Sequence, residues 1–140
     1  MEPTIRISTD PADVDLDWLH AALAERAYWA LGRSREIVER SVANSLCFSA
    51  FDGAAQVGFA RVITDQATFA WICDVFVDDD RRGQGIGKGL LEAILADPRL
   101  AGLKRTLLAT SSPAFYAPFG FAPLENPERW LLRPGPVPTD

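Results

Sequence analysis

The sequence predicts a mixed α/β fold in a single domain. Its 140 residues match the length of one domain and leave no room for two. In the first half, segments rich in β-branched and aromatic residues are joined by hairpin turn signals, which indicates antiparallel strands. The second half places a helix between two strands, which is typical of a strand–helix–strand crossover. This order of elements predicts the mixed fold class.

The first half is predicted to begin with one strand and two helices. Ile5–Ser8 is typical of a short opening strand. Apolar residues recur at helical spacing over residues 15–31, and Gly32 is suited to end that helix. Ser34 is suited to cap a second helix that runs to about Asn44.

Three strands follow the two helices. Cys47–Phe51 and Gln56–Thr64 flank the turn signal Asp52-Gly53, and Thr68–Val77 follows a second turn at Asp65-Gln66. The third of these strands is rich in β-branched and aromatic residues. We therefore expect consecutive antiparallel strands in this part of the chain.

A helix then crosses from the third strand to the next one. It is predicted from about Gly85 to Ala96, because Asp97-Pro98 cannot continue it. The later segments are a short buried strand, a brief helix and two pieces of closing strand, at Thr106–Thr110, Pro113–Pro118, Phe121–Pro123 and Arg129–Arg133. The proline-rich end cannot extend a sheet, so we expect the domain to span 1–133 and 134–140 to be a flexible tail.

The composition excludes several classes of protein. Apolar residues make up 48% of the chain and charged residues 24%, which excludes a wholly disordered chain. The formal net charge of −5 argues against a nucleic-acid binder that neutralises phosphates. No apolar run reaches the roughly 18 residues of a membrane span, and the N-terminus lacks the layout of a secretory signal. We therefore expect a cytoplasmic protein without a membrane partner.

Two cysteines and one histidine are too few for a cysteine-rich metal site. Cys47 and Cys73 both lie in apolar strand segments, where free buried thiols are favoured over a disulfide. No metal is expected to take part in the function.

The most informative segment is the glycine-rich loop between the third strand and the helix. Val75-Phe76-Val77 ends the strand, and glycines at positions 83, 85 and 87 lead into the helix. Backbone N–H groups at such a helix N-terminus suit a phosphate or pyrophosphate, and glycine lets the anion approach the backbone. Neither a Walker A loop nor a dinucleotide fingerprint fits, because each requires glycine where Arg82, Lys88 or Leu90 stands. A nucleotide-binding domain of another fold is therefore disfavoured.

Two motifs resemble the GNAT superfamily of N-acetyltransferases. Arg82-Gly83-Gln84-Gly85-Ile86-Gly87 resembles motif A of that family, R/Q-x-x-G-x-G/A, and Phe115–Phe121 resembles its F-Y-x-x-x-G-F segment. Together they cover roughly Cys47 to Phe121, a little over half of the chain. The resemblance implies a single GNAT-like domain with a central, mostly antiparallel mixed sheet, two splayed parallel strands and helices on both faces.

The resemblance implies acetyl-CoA as co-substrate, bound between the strands Thr68–Val77 and Thr106–Thr110. Backbone groups of Val75 and Val77 would pair with the pantetheine arm, with the amide of Val75 at the thioester carbonyl. The glycine loop would hold the pyrophosphate. The residues implied for the cofactor site are Val75, Phe76, Val77, Arg82, Gly83, Gln84, Gly85, Ile86, Gly87, Lys88 and Ser111.

The resemblance also implies direct attack of a neutral amine on the thioester. Tyr116 stands at the position of the general acid that protonates the departing thiolate, and a phenol with a pKa of about 10 is protonated at pH 7. Ser112 as N-cap and Pro113 at the first helical position would place Tyr116 just inside the first turn. The alternative role for Tyr116 is a core aromatic beside Phe115 and Phe119.

The general base remains open among three candidates. The third strand lacks the glutamate that some family members use, and Asp74 is its only carboxylate. Strand alternation predicts that Asp74 faces the side of Ile72 and Phe76, away from Cys73, where it is either the base or a structural aspartate. His20, which is more typical of a surface histidine, and a chain of water molecules are the other candidates.

The acceptor is expected near the first two helices. Tyr28 and Trp29 would wall its pocket, and Arg33 would meet a carboxylate on the acceptor. In the alternative, Trp29 packs in the core and Arg33 is a solvated charge at a helix end.

Two functions follow from these residues. The first is an acetyl-CoA-dependent N-acetyltransferase that acts on a small-molecule or peptide amine, and Tyr116 supports it. The second is a non-catalytic acetyl-CoA-binding sensor, which the missing strand glutamate supports. The family resemblance is compatible with a homodimer.

Overall fold

A computed structural model describes residues 4–136, and its strands form one five-stranded sheet in the order β1-β2-β3-β4-β5. The strands are Ile5–Ser8 (β1), Leu46–Asp52 (β2), Ala55–Thr64 (β3), Phe69–Val77 (β4) and Arg105–Leu108 (β5). The first four are antiparallel neighbours, whereas β4 and β5 pair in parallel. The predicted mixed fold class is confirmed.

Within the described residues, four α-helices accompany the sheet. They are Leu16–Arg26 (α1), Arg35–Ala43 (α2), Ile86–Ala96 (α3) and Pro113–Tyr116 (α4). None of them is long and apolar enough to cross a membrane.

Helices cover both faces of the sheet, as predicted, and each face carries its own hydrophobic core. On one face, Leu19 and Leu23 of α1 and Val38 of α2 pack against Phe59 and Phe76. On the other face, apolar residues of α3 pack against side chains from β2, β3 and β4. Each fully buried leucine or phenylalanine contributes about 1.5–3 kcal/mol to folding, so both helical layers are held firmly on the sheet.

The close approach of α3 to β3 depends on Gly58. A Cβ at this position would lie 3.0 Å from Ile86 Cγ2 and 3.3 Å from Leu90 Cδ1. Any larger residue would therefore push α3 away from the sheet. This contact fixes the first turn of α3 beside the end of β4, where the glycine-rich loop lies.

The helix predicted for residues 15–31 ends earlier, at Arg26, and Ala27 rather than Gly32 is its C-cap. The segment after it is an irregular loop in which Ala27 and Ala30 are buried in the core. Trp29 and Arg33 both hydrogen-bond to β4. These tertiary contacts override the helical pattern of the sequence, which continues to residue 31. The second helix begins after Ser34 as predicted, with Ser34 Oγ accepting from the amide of Ile37.

The two predicted closing strands are wrong. Phe121–Pro123 and Arg129–Arg133 form no strand, and a short 3-10 turn covers Pro127–Arg129. Proline supplies no backbone N–H for a ladder, and prolines recur throughout this region. The predicted strand Thr106–Thr110 is present in a shifted, shorter form as β5. Of the predicted tail, residues 134–136 lack regular structure and 137–140 lie outside the described residues.

Candidate active site

A cleft opens where β4 and β5 separate. The two strands pair from Phe69 with Arg105 to Ile72 with Leu108, after which β5 ends and β4 continues to Val77. The last part of β4 therefore has no strand neighbour on this side among the described residues. The cleft has a volume of about 980 Å³, at the upper end of the range for small-molecule and cofactor sites. The predicted pair of splayed parallel strands is confirmed.

A β-bulge in β4 lies where the strands begin to separate. Between Cys73 and Phe76, β4 has one residue more than the part of β3 that it faces. Asp74, inside this stretch, has a φ of 51°, a left-handed conformation that aspartate tolerates better than most residues. Because of the bulge, Ile72 packs toward α3 whereas Phe76 packs toward α1 and α2. The prediction that alternation places Ile72, Asp74 and Phe76 on one side is therefore wrong.

Asp74 is the centre of a buried group of four side chains, which we call the Asp74 cluster: Trp29, Arg33, Arg61 and Asp74. Asp74 Oδ2 accepts hydrogen bonds from Arg33 Nη1 at 2.8 Å and from Arg61 Nε at 2.9 Å. Asp74 Oδ1 accepts one from Trp29 Nε1 at 2.8 Å. Burial acts to raise the pKa of Asp74, but the charges of Arg61 and Arg33 and the hydrogen bonds hold it below its ordinary value. Asp74 is therefore ionised at neutral pH, with both oxygens engaged.

The structure contradicts the alternative roles of Trp29 as a core residue and of Arg33 as a solvated charge. Arg33 is no solvated charge, because only 9% of its side chain is exposed. Trp29 does not pack in the core, because 41% of it is exposed and it lines the cleft. Arg61, which lines the cleft from β3, is not among the residues predicted from the sequence. An arginine in an otherwise apolar strand, one hairpin away from an aspartate, is the signal that could have found it.

Tyr28 connects the loop after α1 with the loop after β5 across the mouth of the cleft. Its hydroxyl donates a hydrogen bond of 2.9 Å to Ser111 Oγ, in the loop after β5. The ring of Tyr28 meets that of Trp29 edge-on, with centroids 5.0 Å apart. Two residues predicted for the acceptor and one predicted for the cofactor thus lie together at the mouth of the cleft.

Tyr116, the last residue of α4, lines the same cleft. It is half-buried and meets the rings of Phe115 and Phe121 edge-on. Burial raises its pKa, and the nearby phenol of Tyr28 raises it further, so Tyr116 is protonated at neutral pH. Tyr116 therefore packs among aromatic rings and also lines the cleft. Pro113 opens α4 as predicted, but the Ser112 side chain makes no capping bond, contrary to prediction.

The glycine-rich loop forms one end of the cleft. Gly83 and Gly85 both have a φ of 80°, a region in which only glycine is free of strain. Gly85 is the N-cap of α3 and offers no side-chain acceptor, so the first amides of α3 keep their donors for another partner. Arg82 and Lys88 line the cleft at this end.

Of the residues predicted for the cofactor, all line the cleft except Gln84. Phe76 contributes chiefly backbone, because its ring is buried on the opposite face, edge-on to Trp18.

Two further side chains bear on the chemistry of the cleft: a thiol that lines it and the imidazole that was a candidate for the general base. Cys73 lines the cleft as a free thiol, and burial raises its pKa to about 11. His20 does not line the cleft, and its Nε2 donates to the carbonyl oxygen of Arg33 at 3.1 Å. Among residues 4–136, no group of three or more histidine, cysteine or acidic side chains could hold a metal ion.

Both the sequence and the fold are similar to those of known proteins. A family model for the acetyltransferase (GNAT) domain matches residues 43–123, more than half of the chain. A crystal structure from Xanthomonas campestris pv. campestris, provisionally assigned as a GNAT-family acetyltransferase, is 40% identical with a TM-score of 0.94, and the match covers 99% of this chain and 97% of that one. A protein of Gibberella zeae, provisionally named an acetyltransferase, is 29% identical over an alignment of 127 residues, and the match covers 75% of this chain and 71% of that protein.

A more distant structure shares the fold. N-acetylglutamate synthase from Neisseria gonorrhoeae, solved with coenzyme A and N-acetyl-glutamate, is 22% identical with a TM-score of 0.71, and the match covers 91% of this chain and 30% of that one. The family model and the structure from Xanthomonas campestris identify the chain as an acyltransferase. The chain belongs to the GNAT family of acetyltransferases.

Proposed function

We propose that the protein is an N-acetyltransferase that moves an acetyl group from acetyl-CoA to a primary amine. The observation that carries this proposal is the opening between β4 and β5, which places Tyr116 in the same cleft as the uncapped N-terminus of α3. The reaction is direct: the amine nitrogen bonds to the acetyl carbon and releases one proton to water, the carbon–sulfur bond breaks, and the thiolate of CoA receives a proton.

The glycine-rich loop fits the pyrophosphate of acetyl-CoA. The first amides of α3 are uncapped by any side chain, and a helix N-terminus favours negative charge. Gly83 and Gly85 keep Cβ atoms out of the approach, with no other heavy atoms within 4 Å of where those Cβ atoms would lie. Arg82 and Lys88 add positive charge at the same end of the cleft. Together these groups would hold the two phosphates.

The free edge of β4 suits the pantetheine arm and the thioester. Peptide-like groups of the arm can pair with backbone groups of Val75 and Val77, as an added strand does. The amide of Val75 would then polarise the thioester carbonyl. One such donor contributes about 3 kcal/mol to the stabilisation of an oxyanion.

Tyr116 supplies the proton to the thiolate. Its raised pKa keeps the phenol protonated at neutral pH, as a general acid must be before the reaction. After transfer, the phenolate recovers a proton from solvent, which the open cleft admits.

A covalent acetyl-cysteine intermediate is disfavoured. Cys73 lines the cleft, but a thiol with a pKa of about 11 is almost wholly protonated at pH 7, and the thiolate is the nucleophile. Direct attack by the amine therefore suits this cleft better than a two-step transfer through Cys73.

We assign the proton of the incoming ammonium to water rather than to Asp74 or His20. Asp74 has both oxygens occupied by Trp29, Arg33 and Arg61, and its lowered pKa makes it a weak base. His20 lies outside the cleft. Asp74 is therefore a positioning residue in this proposal.

Ligand-induced stabilisation tests the cofactor part of the proposal. Acetyl-CoA should raise the melting temperature, and ATP at the same concentration should not, because only the true ligand binds the folded state selectively. Stabilisation without thiol release from any amine in a broad panel would favour the sensor function. Absence of stabilisation by acetyl-CoA would overturn the proposal.

A further inference from the structure

We infer that the acceptor is an amine that also carries a carboxylate, and that Arg61 and Arg33 of the Asp74 cluster bind this carboxylate. The inference rests on the proposed transferase function and names the substrate class for the same cleft.

The Asp74 cluster carries an unbalanced positive charge. It contains two guanidinium groups and one carboxylate, and the side chains of Arg33, Arg61 and Asp74 are only 9%, 12% and 2% exposed. Asp74 is also the one acidic residue that lines the cleft among the described residues. Charges buried to this degree are normally paired with opposite charges. One bound anion would therefore balance the surplus positive charge of the cluster.

Neighbouring groups do not supply that anion. Glu36 and Glu39 of α2 pair with Arg40 and Arg35, and Asp17 of α1 pairs with Arg35 as well, all at exposed positions. The two nearby thiols, Cys47 and Cys73, have pKa values raised to about 11, so they carry no charge at neutral pH.

The two arginines also have unused hydrogen-bond donors. Arg33 Nε is buried without a hydrogen-bond partner among the described residues. Arg61 uses Nε for Asp74 and Nη1 for Ser45 Oγ, and Arg33 uses Nη1 for Asp74. Neither Nη2 bonds to the described part of the chain. Planar guanidinium groups with free N–H donors match the geometry of a carboxylate.

The cleft residues beside the Asp74 cluster can contact the remainder of an acceptor that carries a carboxylate. Trp29, Trp71 and Ile63 line the same part of the cleft and offer apolar surface, and Ile63 is 45% exposed. An acceptor can place its carboxylate on the arginines and an apolar portion on this surface.

The surplus charge also affects the reacting amine. A nearby positive charge repels an ammonium ion, so the unoccupied cluster opposes the binding of a protonated amine. A bound carboxylate offsets the repulsion for an amino acid but not for a simple amine. The same two arginines would therefore select against polyamines and other purely cationic acceptors.

Two experiments test the inference. The first compares acetyl-CoA-dependent thiol release with matched pairs of amino acids and their amides, over several side-chain types. The second needs no turnover: calorimetry in the presence of CoA compares N-acetyl amino acids with the corresponding N-acetyl amides. Each uses wild type, Arg61→Gln, Arg61→Lys and, as a control that removes a distant surface charge, Arg40→Gln, whose side chain is 68% exposed.

The expected result is a preference for the carboxylate of about tenfold or more in wild type and Arg40→Gln, as a charged hydrogen-bonded contact provides. Arg61→Gln should lose most of this preference, whereas Arg61→Lys should keep part of it. An equal response to acids and amides, an unchanged preference in Arg61→Gln, or no binding of any carboxylate would overturn the inference. CoA binding shows in each variant that the cleft is folded, and its absence in wild type would count against the transferase function instead.

Discussion

The hydroxyl of Tyr28 donates a hydrogen bond of 2.9 Å to Ser111 Oγ, although 83 residues separate the two in sequence. This contact ties the loop between α1 and α2 to the loop after β5, on either side of the cleft mouth. Tyr28 also contacts Trp29, which binds Asp74, so the contact links the mouth of the cleft to the Asp74 cluster.

Removing this hydrogen bond should have a small effect on stability and a larger one on the acceptor. Tyr28→Phe should lower the free energy of unfolding by less than about 1 kcal/mol, because the bond is exposed to water. Tyr28→Ala removes the ring and should raise the KM for the acceptor severalfold while leaving acetyl-CoA affinity nearly unchanged. Steady-state kinetics in both substrates measure this. Ser111→Ala removes the same hydrogen bond but keeps the ring of Tyr28. An equal rise in the acceptor KM in this variant would show that the hydrogen bond matters and that contact of the acceptor with the ring does not.

Asp74→Asn should destabilise the fold strongly. The substitution keeps the shape and the left-handed backbone conformation but leaves Arg33 and Arg61 without a counter-ion. Breaking a buried pair of this kind costs about 3–5 kcal/mol of unfolding free energy, measured by urea denaturation. Glu36→Gln, which breaks an exposed pair with Arg40, is the matched control and should cause little change.

The hydrogen bonds and ion pairs of Asp74 also determine how its contribution to the free energy of unfolding depends on pH. The pKa of Asp74 is lower in the folded than in the unfolded state, where it is about 3.9, so the stabilisation is fully present above that pH. It should decline only as the pH falls below about 4, towards the folded-state pKa. A wild-type stability advantage over Asp74→Asn that declines between pH 8 and pH 5 would contradict the assignment.

The activity of the enzyme should persist to high pH. Tyr116 must be protonated to act as general acid, and burial raises its pKa above the ordinary value of 10.0. The alkaline limb that Tyr116 contributes to the profile of kcat should therefore lie above pH 10, with no loss between pH 7 and pH 9 from this group. The remaining activity of Tyr116→Phe should lack that limb. An alkaline limb at the same pH in both proteins would assign it to another group.

Substitutions at two glycines can separate an effect on cofactor binding from an effect on stability. Gly85 and Gly102 have φ values of 80° and 77°, and a Cβ at either would meet no heavy atom within 4 Å. Gly85→Ala and Gly102→Ala should therefore lose similar stability, about 1–2 kcal/mol, from backbone strain. Only Gly85 begins α3 at the end of the cleft, so only Gly85→Ala should weaken acetyl-CoA binding, by about tenfold in calorimetry. Equal affinities in the two variants would place the cofactor elsewhere.

Local signals in the sequence were sufficient for the fold class and the glycine-rich loop. Turn signals and β-branched segments give β2, β3 and β4 to within two residues, and Ser34 correctly marks the start of α2. The loop before α3 is local as well, because its glycines and the helix start lie within a few residues of each other.

The Asp74 cluster could not be predicted in the same way. It depends on a bulge that moves Ile72 and Phe76 to opposite faces, and on an arginine from a neighbouring strand. Both features are tertiary, and so is the early end of α1 that brings Trp29 and Arg33 to β4. The predicted closing strands are missing because the prolines of this segment supply no backbone N–H for pairing.

The most direct test of the central claim is acetyl-CoA-dependent thiol release with a pooled panel of amines, in wild type and Tyr116→Phe. The account predicts release by wild type and a loss of about 100-fold or more in the variant, the usual contribution of a general acid. Both proteins should bind acetyl-CoA equally well, because Tyr116→Phe keeps the ring. Equal rates of release in the two proteins would contradict the role of Tyr116. Neither release nor acetyl-CoA binding by wild type would contradict the acetyltransferase function itself.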